Sequence, residues 1–188
     1  MYGLLKKNIA AIHILSDDVL PVFLDAWQSW SVPAQHYLLR EHTISEYIYF
    51  IEKGVARIYY FKHEKPVTEW IAMDESFFLS ITSFFQKTPS RLIIQTLEPS
   101  LVWGIQHKTL MKLAADYHEI ETMLRKMVTS SLILSQERMD SIQFESAQQR
   151  YEKLIQETPG ILQRVPLTFI ASFLGITLET LSRIRSGK

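Results

Sequence analysis

Hydrophobic and polar positions change their rhythm three times along the chain. Residues 9–30 predict a short helical start, in which Ser16-Asp17-Asp18 is placed to cap a helix carrying Val19, Leu20, Phe23, Leu24 and Trp27 on one side. From Val32 to about Ile105 the pattern becomes short aromatic and β-branched runs: "YLLREH", "EYIYFIE", "VARIYYFK", "VTEWIAM", "RLIIQTLE" and "LVWGI". Turn-like pieces divide them at Lys53-Gly54, His63-Glu64-Lys65-Pro66 and Thr88-Pro89. Short strands spaced this way predict a sandwich or barrel.

After His107 the period becomes helical. "KTLMKLAADY" predicts one short helix, and Tyr117 to about Phe144 runs without Gly or Pro. On that second stretch Ile120, Leu124, Met127, Ser131 and Leu134 recur at three and four, one apolar stripe. A helix of this length, about 40 Å, overhangs a small barrel, so a second copy of the same helix is the expected partner. The alternative is that the stripe packs on its own barrel. Residues 146–158, "SAQQRYEKLIQET", predict a further helix that Pro159-Gly160 stops.

The closing segment, "VPLTFIASFLGITLETLSRIRSGK", predicts a helix-turn-helix. Pro166 suits a first turn, and the first helix carries Phe169, Ile170, Ala171 and Leu174. Ala171 is small enough for a close crossing, and Gly175 supplies a left-handed turn. Ile176 fills the gap between the helices, Thr177 caps the second one, and Leu181 and Ile184 face inward. The outward face then holds Glu179, Thr180, Ser182, Arg183 and Arg185, with Lys188 beyond it. Arg can bond guanine O6 and N7, Glu can accept from cytosine N4, and Thr177, Thr180 and Ser182 suit phosphate oxygens. The rival reading is a helical hairpin that packs and binds nothing.

Charge sharpens this picture locally. Lys+Arg and Asp+Glu balance at 20 each, so no global field draws the chain to nucleic acid. Past Pro159, however, Arg164, Arg183, Arg185 and Lys188 are opposed only by Glu179. The absence of cysteine removes disulfides, thiolate metal sites, cysteine nucleophiles and cysteine-held iron–sulfur clusters. No signal-peptide pattern or uncharged span of roughly 20 apolar residues occurs, so a cytoplasmic protein with no membrane partner is expected.

Enzyme signatures are missing. No H-x-H, H-E-x-x-H, G-x-S-x-G or phosphate-cradling glycine loop is present. His36, His42, His63, His107 and His118 stand without a supporting motif, so no catalytic residue, metal site or cofactor is expected. Trp70, Phe77, Phe78, Phe84, Phe85 and Trp103 concentrate apolar surface, either as barrel filling or as the lining of an effector pocket.

A barrel, a long helix and a helix-turn-helix, in that order, resemble the CRP/FNR family of bacterial transcription regulators. "EYIYFIEKGVARIYY" (residues 46–60) carries the likeness in the barrel, and "IASFLGITLETLSRIR" (residues 170–185) carries it in the reader. The resemblance implies an α+β fold: a jelly-roll barrel of the cyclic-nucleotide-binding type, a dimerisation helix and a small all-α helix-turn-helix without a wing. It divides the chain into an effector domain (1–116), the dimerisation helix (117–145) and a DNA-binding domain (146–188). It further implies a homodimer along the stripe from Ile120 to Leu134, an operator duplex as partner and an unidentified small-molecule effector. In nucleotide-binding relatives a Gly-Glu pair holds the ribose, and a downstream Arg, small polar residue and Ala hold the phosphate. Residues 77–92 put Leu79 and Ser80 at the first pair and Ser90, Arg91 and Leu92 at the second set. Arg91 is one place off, which in a strand turns it to the other face. Weak or absent binding of cyclic AMP or GMP is therefore expected, because a buried phosphate without a charged partner is costly. A ligand- or protein-binding barrel that no longer reads DNA is the alternative function.

Overall fold

The strand-forming stretch closes into eight strands in a computed structural model that describes residues 2–187. They are β1 (Trp27–Val32), β2 (Tyr37–Leu39), β3 (Tyr47–Lys53), β4 (Ala56–Lys62), β5 (Lys65–Ala72), β6 (Ser76–Phe78), β7 (Ile93–Thr96) and β8 (Ser100–Gln106). Two four-stranded antiparallel sheets, ordered β1-β8-β3-β6 and β2-β7-β4-β5, make a jelly roll.

Strand β3 shows why the barrel needs helices outside it. Ile48 and Phe50 join the cluster under the helices, whereas Tyr49 and Ile51 point into the barrel, so alternate residues serve two cores. Both expected hairpin turns form. Gly54 has φ 130°, and a Cβ there would lie 2.1 Å from the Ser100 hydroxyl, so no other residue fits. His63 and Glu64 both take positive φ, as a two-residue hairpin turn demands. Pro66 is tolerated because β5 is an edge strand.

Before the barrel, α1 (Gly3–Ile12) is a helix the sequence pattern did not announce; it buries Leu5 and Ile9 completely or nearly so. The next helix, α2 (Val19–Asp25), lies where expected, but its cap differs. Asp18 makes no side-chain cap bond, and the Ser16 backbone N–H donates to Glu119 Oε2 at 2.7 Å. Trp27 belongs to β1 rather than to the helix, its ring edge-on to Phe23. A short α3 (Ile81–Gln86) follows β6, and α4 (His107–Asp116) leads out of the barrel.

The long helix, α5 (His118–Phe144), has the predicted length, but the expected stripe faces the wrong partner. Ile120 is fully buried and Met127 nearly so in the chain's own core, and Leu124 packs against them. Ser131 donates its hydroxyl to the Met127 carbonyl, and both Ser131 and Leu134 line a cavity against the barrel. The first part of this stripe, from Ile120 to Met127, is therefore the helix's inner face, whereas Leu134 is 48% exposed. Val128 (39% exposed), Leu132 (68%), Met139 (47%) and Ile142 (49%) are exposed apolar side chains beside it. With Ser135 they recur at four, three, four and three, a 3.5-residue seam beside the inner face whose Ser135, Met139 and Ile142 also border the cavity.

Candidate nucleic-acid interface and barrel cavity

Beyond α5 the chain folds as α6 (Ala147–Glu157), α7 (Ile161–Arg164), α8 (Leu167–Leu174) and α9 (Leu178–Arg185). Helix α6 begins on a reciprocal cap between Ser146 and Gln149. Helices α8 and α9 meet at 98°, inside the range of helix-turn-helix crossings. Ile170, Ala171, Leu174 and Leu181 are buried between them, and Gly175 takes the left-handed conformation (φ 69°) that the turn requires.

Thr177 caps α9 by accepting the Thr180 N–H. Thr177, Glu179, Ser182, Arg183 and Arg185 are exposed and Thr180 is half-buried, so these six candidates share one accessible face or its edge. Lys188 lies outside the described residues. The Glu179 carboxyl is held below the ordinary carboxylate range, first by a hydrogen bond from Thr177 and then by its own backbone N–H. The face thus presents one anionic acceptor and two guanidinium groups.

The α8–α9 pair is seated on the barrel through residues that the pattern did not single out. Helix α8 covers β5, and the edge-strand N–H of Thr68 donates to the Ser172 hydroxyl at 2.9 Å. Arg57 is buried with its guanidinium between the Tyr59 and Phe169 rings, 4.3 and 3.8 Å from their centroids. Arg138 stacks on Phe173 and donates to the Phe173 carbonyl, and Arg150 donates to the Leu174 carbonyl. Two guanidinium groups thus satisfy the C-terminal carbonyls of α8. Burial lowers Arg138 to about 10, which leaves it cationic at neutral pH.

Arg164 is a correction to the basic end. It pairs with Asp74 at 2.7 Å and with Glu98, both on the barrel, and so is unavailable to DNA. Arg164 and the Gly54 N–H together hold the Asp74 carboxyl below its ordinary range. Charge runs along a sequence could not reveal these pairings, because their partners lie 66 and 90 residues away.

The residues at the nucleotide-cassette positions spend their polar groups on one another. Ser80 and Ser90 are buried and share a hydrogen bond of 2.9 Å. Ser90 also bonds the Leu92 backbone, and its own backbone bonds Thr43 and His42. Arg91 is exposed, but it sits in a bend before β7 and not within a strand, so strand alternation does not set its direction. Leu79 lines a cavity of about 410 Å³ between the barrel and α5, together with Trp70, Phe77 and Phe78. Phe84 and Trp103 are core residues, and Trp103 donates to Glu52 at 2.6 Å. Among the histidines, His107 packs edge-on to Phe84, and burial lowers its pKa. Among the described residues no group of three metal-binding side chains comes together. No single helix among them is long and apolar enough to cross a membrane.

A jelly roll with helices on its outer face and a right-angled helix pair at its end defines a class of folds that known proteins share. Residues 29–117 match the family model of the cyclic nucleotide-binding domain, so the barrel is of that type. The chain as a whole has the fold of CRP/FNR-family regulators. FixK2 from Bradyrhizobium japonicum is 20% identical, with a TM-score of 0.75 over 86% of this chain and 83% of that one. CLP, the c-di-GMP-responsive global regulator of Xanthomonas campestris, is 13% identical, with a TM-score of 0.70 over 92% and 91%. A CooA mutant from Carboxydothermus hydrogenoformans is 19% identical, with a TM-score of 0.67 over 93% and 85%. No curated protein matches the chain by sequence.

Proposed function

We propose that the protein is a dimeric DNA-binding transcriptional regulator of the CRP/FNR type whose effector is not a cyclic nucleotide. The α8–α9 pair carries this reading: two short helices at 98°, closed on the inside and lined outside by Thr177, Glu179, Thr180, Ser182, Arg183 and Arg185. In this reading α9 enters a major groove, with Arg183 and Arg185 as base or phosphate contacts. The division into an effector domain (1–116), a connecting helix (117–145) and a reader (146–188) belongs to the same proposal.

Dimerisation runs along Val128, Leu132, Ser135, Met139 and Ile142, in place of the inner stripe. Their 3.5-residue repeat and exposure support a coiled-coil seam, and each copy would place α9 about one helical turn of DNA, roughly 34 Å, from its partner. The mutual bonding of Ser80 and Ser90 and the outward Arg91 support an effector other than cyclic AMP or GMP. Such a phosphate would need an inward cation that these positions lack.

Selection of binding sites from random duplex DNA, followed by binding measurements across salt, tests the reading. A reader loses affinity steeply with salt and keeps its sequence preference at fixed salt. Failure to enrich any sequence would instead favour a barrel module that does not read DNA. Calorimetry with cyclic AMP and GMP tests the effector clause; micromolar binding abolished by Arg91→Ala would overturn it.

A further inference from the structure

We propose that Arg150 is a positioning residue: it pins the corner between α5 and α6 to the last turn of α8, and so fixes the half-site spacing that a dimer accepts. This rests on the reading of α5 as the dimer helix and α9 as the helix that meets DNA.

The corner is short. Only Glu145 and Ser146 separate α5 from α6, and both are extended, with ψ 144° and 160°. Each residue keeps two soft dihedrals, so the backbone alone leaves α6 free to swing against α5. The Glu145 carboxylate accepts from Ser141 on α5 and pairs with Lys153 on α6 at 3.6 Å. That pair is partly exposed, and such pairs are weak.

Arg150, in the first turn of α6, is half-buried and turns its donors to the open carbonyls of two other helices. One Nη donates to the Glu145 carbonyl at the end of α5. Nε donates to the Leu174 carbonyl at the end of α8, at 3.0 Å. A guanidinium is planar and its donors keep a fixed angle, so the two carbonyls are held in direction as well as distance. The apolar cluster that joins α6 to α8, with Leu154, Ile170 and Leu174, supplies adhesion without direction.

From Leu174 the orientation passes to α9 with little slack. The Ile176 N–H closes the turn on the Ala171 carbonyl at 3.0 Å, and Leu181 is completely buried in the same cluster as Leu174. Arg150 therefore stands between the helix that carries the seam and the helix that carries Arg183 and Arg185. One base pair added between half-sites turns the second by about 34° and shifts it by about 3.4 Å. A fixed corner refuses that change, and a loose one follows it.

The first test needs no DNA. The chain has no cysteine, so Lys108→Cys on α4 and Ser186→Cys beside α9, both at exposed positions, take one spin label each. Labelled chains diluted in unlabelled ones report the distance from barrel to reader by double electron–electron resonance. The parent should give one narrow distribution, Arg150→Met one at least about twice as wide, and Arg150→Lys, a single point donor, a width between them. A parent-like width in Arg150→Met overturns the positioning role; should that variant fail to melt cooperatively, a parent-like width in Arg150→Lys does so.

The second test moves the half-sites of a selected duplex by one base pair either way. The parent should lose at least about tenfold in affinity and Arg150→Met less than about threefold, with equal affinity of both for one isolated half-site. A general loosening of the fold would weaken the isolated half-site as well, and that result overturns the assignment. Equal spacing profiles in parent and variant, or no spacing preference in the parent, overturn the spacing claim. A parent that binds no duplex overturns the DNA-reading proposal and the spacing claim with it, and the label widths alone then decide whether Arg150 holds the corner.

Discussion

The barrel interior and the seat under α8 both bury side chains, but with opposite chemistry. Inside the barrel, Ile51, Ile94 and Val102 are completely buried among apolar neighbours. The seat relies on Arg57, Arg138, Arg150 and Arg164 against rings, carbonyls and carboxylates. A close-packed apolar core has essentially one arrangement, since any shift opens voids. Of the seat's arginines only Arg164 forms an ion pair among the described residues, partly exposed and individually weak, and the seat also shares an apolar cluster with Val55, Ile71, Met73 and Leu97 of the barrel. The difference teaches that the α8–α9 pair meets the barrel through cationic and polar contacts that the barrel interior lacks.

The strongest way to break that comparison is to damage each core in turn. Ile51→Ala should destabilise the barrel by about 2–5 kcal/mol and lower its thermal transition. Leu181→Ala, fully buried between α8 and α9, should cost about 2–5 kcal/mol in a separate transition that leaves the barrel's melting temperature unchanged. Calorimetric scans check both; a common drop in one transition would show that the two regions melt as one.

Function can be divided along the same line. Arg183→Ala should cost about 1–3 kcal/mol at one base position if that residue reads a guanine, or weaken all sequences evenly if it holds a phosphate. Leu132→Glu should weaken dimerisation at least about tenfold, near 1.4 kcal/mol, with little effect on barrel melting, as read by sedimentation. A variant that stays dimeric would place the seam elsewhere.

The smallest effect concerns the Arg164 clasp. Arg164→Ala should cost about 1 kcal/mol, because its partners are partly exposed. Its pH dependence has a defined sign: folding lowers the Asp74 carboxyl, so this contribution is present above the ordinary aspartate range, near 4. It is lost as pH falls through the depressed folded value. Proton uptake on acidification should therefore start later for the parent than for Arg164→Ala, measurable by following the Asp74 carboxyl resonance.

Local signals accounted for much of this. The run without Gly or Pro marked α5, Gly54 and the His63-Glu64 turn marked the hairpins, and the Ala171–Gly175–Leu181 spacing marked the right-angled pair. Helix α1 escaped notice because its two buried residues gain their meaning only against the core beneath α5. The edge of the cassette was legible from the missing inward arginine, whereas the bonding of Ser80 to Ser90 depended on residues ten apart meeting in space.

By itself, the sequence determined the hairpin turns, the extent of α5 and the turn between α8 and α9, and which outward residues α9 offers, since these follow from period and turn residues. Tertiary structure alone decided that Ile120 and Met127 of α5 are buried while Leu132 is exposed. Helical periodicity is blind to rotation about the helix axis, and only packing under Leu5, Ile9 and Ile105 sets it. It likewise decided that Arg164 clasps the barrel while Arg183 faces out, because a charge gains its role from what stands opposite.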